Sequence, residues 1–218
     1  MIRLLAQTDA MLRPSRQTAL AAAWSTPVVI ILAFAPIYGL FMGSFSVSSP
    51  ERTPMMLYAA VKMPLLLLAT TGLCLPAFFV VNTIAGLRDH FAQASSAILA
   101  GQAVIGVTLA SLGPITLVFY STTIDHNLAV LFNALMFLLA AIAGQLVTLR
   151  YYRPLIRKSR SHIPMLASWF VLYAFVGIQM GWIARPFVGT PGLPVRFLRE
   201  DPFTNAYIAL ANMLSNAL

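Results

Sequence analysis

Asp125 and His126 adjoin in "STTIDHNLA", and Asp89 and His90 adjoin in "GLRDHFAQ". A carboxylate beside an imidazole can orient it for general-base work, provided a nucleophile or metal lies within hydrogen-bonding reach. The sequence offers neither pair a third partner. It carries no HExxH, GxSxG or GxxxxGK[ST] pattern. The first pair therefore reads as solvated loop residues or a helix cap, and "GLRDHFAQ" as a turn and short amphipathic lead into the third span. Cys74 is the only cysteine, which excludes an intrachain disulfide and a CxxC zinc pattern. It reads as a small apolar side chain. No catalytic residue, metal or cofactor is expected.

The basic residues carry more information. Lys62 lies in "LYAAVKMPLLLL", inside an apolar run, where its stem can snorkel toward an interface. It can serve as an interfacial anchor, or as an anion or headgroup contact beside Arg52. Arg185, Arg196 and Arg199 fall in "WIARPFVGTPGLPVRFLRED" with three prolines and two glycines. Pro and Gly shape the backbone there, while Phe187 and Phe197 supply apolar anchors. The candidate contacts for a partner chain or anionic headgroups are Arg52, Lys62, Arg185, Phe187, Arg196, Phe197 and Arg199.

These residues are positioned by elements that composition identifies. The chain has 218 residues, 59% hydrophobic and 9% charged, against about 25% charged in soluble domains. Such a chain cannot cover a water-facing surface, so most of its surface must face lipid. The net charge of +8 then reflects basic residues at membrane edges rather than nucleic-acid binding. A spanning helix needs about 20 mostly apolar residues, and residues 27–45, 55–84, 97–120, 128–149 and 163–184 meet that standard. The expectation is an all-α, polytopic helical membrane protein with a single domain. It comprises an interfacial segment (1–26), a five-span bundle (27–184), an outer loop (185–203), and a terminal helix (204–218) that either lies in the interface or forms a sixth span. Arg3, Arg13, Arg16, Arg88, Arg150, Arg153, Arg157, Lys158 and Arg160 collect on one side. The positive-inside tendency makes that side cytoplasmic, with the loop outside.

The six acidic residues and three histidines fall in loops or at span ends, away from the bilayer core where proton-coupled transport and intramembrane proteolysis usually keep ionisable groups. Asn82, Gln102, Ser111, Asn133, Gln145 and Gln179 are expected to bond between helices. Pro64 and Pro76 predict kinks in the second span, and Thr70, Thr71 and Gly72 suit a close helix contact or a polar path.

The stretch "VKMPLLLLATTGLCLPAFFVVNTIAGLRDHFAQ", continued to residue 148, resembles the Yip-type membrane fold. "GIQMGWIARPFVGTPGLPVRF" is similar to bacterial multi-span proteins of comparable length. The Yip-type resemblance implies about five spans with a helical lead after the second. It also implies a non-enzymatic role in membrane trafficking or assembly, without catalytic residues. The expectation is an accessory or scaffold subunit in a bacterial inner membrane, whose partners are lipids and other membrane proteins. A small-solute or lipid transport component is the alternative, and it requires a continuous polar cavity near Lys62, Thr70 and Thr71.

Overall fold

The computed structural model describes residues 5–9, 24–47, 50–189 and 194–198. Five long helices dominate: α1 (Ser25–Gly43), α2 (Pro54–Ile84), α3 (Phe91–Thr122), α4 (His126–Lys158) and α5 (His162–Ile183). Each is long and apolar enough to cross a membrane, and the described residues contain no strand. The protein is an all-α polytopic membrane protein. Residues 5–9 are helical; the remainder of the 1–23 segment, Arg199 and the 204–218 segment lie outside the described residues.

One boundary differs from the sequence reading. The turn and lead expected before the third span are present as a turn at Gly86 and a 3-10 turn at Arg88–His90, with the helix continuous from Phe91. Gly86 has φ of +71°, a conformation open to glycine at little cost. The fourth helix continues past 149 to Lys158, so Arg150, Arg153, Arg157 and Lys158 are helical. Tyr151, Tyr152 and Leu155 are buried on one face of that extension, which keeps the helix docked past Pro154. At the other end of α4, Asp125 caps the helix: its Oδ1 accepts from the Asn127 N–H at 2.7 Å. That is the cap alternative for the Asp125–His126 pair.

The helices do not stack in chain order. α3 lies along α4 on one flank and along α1 on the other; α1 lies along α2, and α5 returns to the free flank of α2. α4 turns Leu131, Leu135, Leu138, Ile142 and Leu146 outward, an apolar stripe suited to lipid. Chain direction puts the α1–α2 and α3–α4 connections and residues 185–189 and 194–198 at one end, here the loop end. The α2–α3 and α4–α5 connections form the basic end.

Close approach is made by glycines. Gly39 and Gly43 form a small-xxx-small step on α1. A Cβ on Gly39 would strike the Ala59 carbonyl and come within 2.6 Å of the Ala60 Cα, and one on Gly43 would come within 2.7 Å of the Met56 Cα. Gly101 and Gly144 meet across α3 and α4, where a Cβ on Gly101 would sit 2.8 Å from the Gly144 carbonyl. Such contacts replace the hydrophobic drive that lipid removes. The close contact expected at Gly72 is absent: nothing lies within 4 Å of its Cβ position, because Gly72 faces outward while Thr70 and Thr71 face in. α2 continues through Pro64 and Pro76 as one helix.

Candidate functional site

Lys62 lies a little over two turns into α2, on the inward side of the loop end. It is only 2% exposed, so its ammonium does not reach the surface. Its Nζ donates to the Pro186 carbonyl at 2.7 Å. The same nitrogen lies 5.7 Å from the Phe187 ring centre and 4.9 Å from that of Phe197. Removing an ammonium from water costs several kcal/mol. A charge-assisted hydrogen bond of about 1.5–3 kcal/mol and cation–π contacts of up to about 2 kcal/mol each offset that cost. The arrangement is a latch, in which one buried cation holds both described pieces of the loop, 185–189 and 194–198, against α2.

Other contacts extend the latch. Phe197 meets Tyr58 edge-on, with ring centres 5.4 Å apart, and Val188, within the loop, is buried. Arg185 lays its guanidinium on Trp182, 3.1 Å from the ring centre, rather than extending from the bundle. Of the sequence candidates, Lys62, Phe187 and Phe197 come together, with Arg185 beside them on α5's end. Arg52 is half-buried in the short Pro50–Arg52 turn, and Arg196 is exposed. Arg199 lies outside the described residues. Phe197 and Leu198 keep 39% and 40% exposure, so the latched loop still presents an apolar edge beside Arg196.

The chain matches no family model, no curated protein and no solved structure. The site must therefore be read from its own geometry.

Sequence reasoning missed two groups. The first is a hydrogen-bonded node near the loop end. The Tyr38 hydroxyl donates to Asn133 Oδ1 at 2.8 Å. Asn133 Nδ2 donates to the Tyr120 hydroxyl and to the Ala129 carbonyl. Tyr120 also donates weakly to the Met42 carbonyl at 3.4 Å. Asn133 was a candidate for bonding between helices, but nothing in the sequence paired it with tyrosines 95 residues earlier and on α3. The second is a histidine pair at the basic end, His162 Nε2 to His90 Nδ1 at 3.1 Å, with Tyr152 edge-on to His162.

The other polar residues divide. Gln102 does bond between helices, accepting from the Tyr173 hydroxyl at 2.6 Å. Asn82 and Ser111 instead donate to their own helix, at Phe78 and Val107. Among the described residues, no group of three or more His, Cys, Asp or Glu could hold a metal ion.

Proposed function

We propose that this chain is a non-enzymatic accessory or scaffold subunit of a larger membrane complex, and that it docks through the latched loop. One observation carries the reading: the Lys62 ammonium is buried at the loop base to fix the Pro186 carbonyl and two phenylalanine rings. A connector needs no fixed shape, whereas a recognition surface gains affinity when it is held in place before binding. The fixed loop offers Arg196, Phe197 and Leu198 at its exposed edge, a mixture of cation and apolar surface common at protein interfaces. The likeness of residues 56–148 to the Yip-type fold points the same way. The nine basic residues support a cytoplasmic basic end and an outward-facing loop, in a bacterial inner membrane.

A photo-crosslinking residue at position 198, in the full chain at native expression, tests this reading. It should yield one discrete protein adduct, while the same residue at position 131, on the lipid-facing stripe, should yield lipid adducts only. Lipid adducts alone from both positions would leave the loop as a headgroup anchor.

A transport role is the second reading. The feature favouring it is the set of buried polar side chains on α2, Thr70, Thr71 and Asn82.

A further inference from the structure

The outward face of α4 changes character without changing direction. Leu139, Ile142 and Leu146 are exposed, and the same steps of three and four residues continue through Arg150, Arg153 and Arg157, which are exposed as well. At about 100° per residue, all six fall within an arc of about 80°. The helix is unbroken across the change. One ridge is therefore apolar along most of the bundle and cationic at the basic end.

Length places the change at the membrane edge. Arg150 lies about 33 Å along the helix from Leu128, the first apolar residue of α4, at about 1.5 Å per residue. A hydrocarbon core is about 30 Å thick. Arg150 thus meets its boundary, and Arg153 and Arg157 follow about 5 and 10 Å further out, across the headgroup layer. The backbone that carries them is fixed, because Tyr151, Tyr152 and Leu155 are buried on the opposite face.

The charge on this ridge has little compensation in the chain. Residues 85–90 and 150–161 supply Arg88, Arg150, Arg153, Arg157, Lys158 and Arg160 against one carboxylate, Asp89. Like charges three and four residues apart on a helix repel, and an anion held between them relieves that cost. Guanidinium groups pair with phosphate through two parallel hydrogen bonds. Two of them one turn apart can converge on a single phosphodiester. A zwitterionic headgroup brings its own ammonium to compete for that phosphate, whereas an anionic one does not.

We propose that the outer face of α4 at the basic end is a binding site for an anionic diacyl phospholipid. Its chains lie along Leu139, Ile142 and Leu146, its phosphate meets Arg150 and Arg153, and Arg157 faces the outer part of the headgroup. The site is separate from the latched loop and does not rest on the loop's docking role.

The adducts of a photo-crosslinking residue report which lipid lies on the ridge. The full-length chain is reconstituted into vesicles of equimolar phosphatidylglycerol and phosphatidylcholine, with that residue at position 146 or, at the other end of the same stripe, at position 131. Mass spectrometry of the adducts identifies the headgroup captured at each. Phosphatidylglycerol adducts at 146 should exceed their share at 131 by about fivefold, the preference expected from about 1 kcal/mol for one basic residue at a membrane surface. Arg150→Gln, Arg153→Gln and Arg157→Gln together should bring the two positions to parity, and the Arg153→Gln, Arg157→Gln pair should at least halve the difference if the triple variant is not recovered folded. Arg196→Gln, at the loop end, should leave the difference in place. Equal shares at 146 and 131 in the unsubstituted chain overturn the proposal. So does enrichment at 146 that survives loss of the three arginines, or a covalent dimer at 146 in place of lipid adducts, which would mark the ridge as a contact between copies of the chain.

Discussion

Two polar clusters in this bundle are buried to a similar depth and built on opposite plans. Between α1, α3 and α4, Asn133 uses both ends of its amide, joining Tyr38, Tyr120 and the Ala129 carbonyl. Between α2 and α5, Asn82 donates only to its own helix and leaves its oxygen without a protein partner. The first cluster lies among helices brought close by Gly39, Gly43, Gly101 and Gly144. The second lies beside α5, whose buried residues are only His162, Leu166 and Trp169. Where backbones touch, side-chain polar groups find one another. Where a peripheral helix rests on aromatic contacts such as Phe78 on Trp169, a buried polar atom can stand without a protein partner.

The largest difference between the two regions should appear on filling the glycine contacts. Gly39→Val drives a side chain into the Ala59 carbonyl, and helix separation should cost at least about 3 kcal/mol, enough to abolish folded recovery at 37 °C. Gly72→Val, in open space, should stay within about 0.5 kcal/mol. Size-exclusion profiles and thermal unfolding in detergent compare the two. Equal behaviour would remove the close-approach argument.

The two asparagines come next. Asn133→Leu removes the acceptor of the Tyr38 hydroxyl and the donor to Tyr120 and should cost about 2–3 kcal/mol. Asn82→Leu removes an atom that has no protein partner to strand, and should cost less than about 1 kcal/mol. A larger loss at Asn82 than at Asn133, read by the same melting curves, would reverse the comparison.

A smaller effect is expected at the α4 N-terminus. Asp125→Ala should cost about 1 kcal/mol through the lost cap, with Asp125→Asn recovering most of it. No recovery by Asn would point to the charge rather than the hydrogen bond.

The smallest effect on the bundle should come from the latch itself. Lys62→Met replaces a buried cation by an apolar side chain of similar length, and overall stability should move by less than about 1 kcal/mol. Amide exchange in 187–189 and 195–198 should nevertheless accelerate about tenfold, since a loss of about 1.4 kcal/mol of local stability is a factor of ten. Unchanged exchange there would make the Lys62 contact incidental.

The sequence made the architecture legible because span length and apolar composition are local properties. Five helices, their order and the concentration of basic residues near one end follow from counting. The boundary at Lys158 did not, because burial of Tyr151, Tyr152 and Leu155 against the bundle carries α4 past the point where its apolar run ends. Lys62, Phe187 and Phe197 were each conspicuous, yet their convergence depends on α5 returning to α2, a tertiary fact. Gly39 and Gly43 were visible as a small-xxx-small step and were passed over in favour of Gly72, whose neighbours looked equally suitable. The pairing of the buried amides was the least legible of all. Asn82 and Gln102 are alike in sequence, and only the structure distinguishes an amide that meets another side chain from one that turns back on its own helix.

The central claim is that the Lys62-latched loop docks this chain onto other membrane subunits. Native mass spectrometry after gentle extraction from membranes at native expression tests it most directly, with wild type compared with Lys62→Met at equal abundance. The account predicts a companion protein of fixed stoichiometry on the wild-type chain and at least a tenfold loss of that companion from the variant. A wild-type chain that travels with lipid alone, or a companion retained when the latch is gone and the loop exchanges freely, would contradict it.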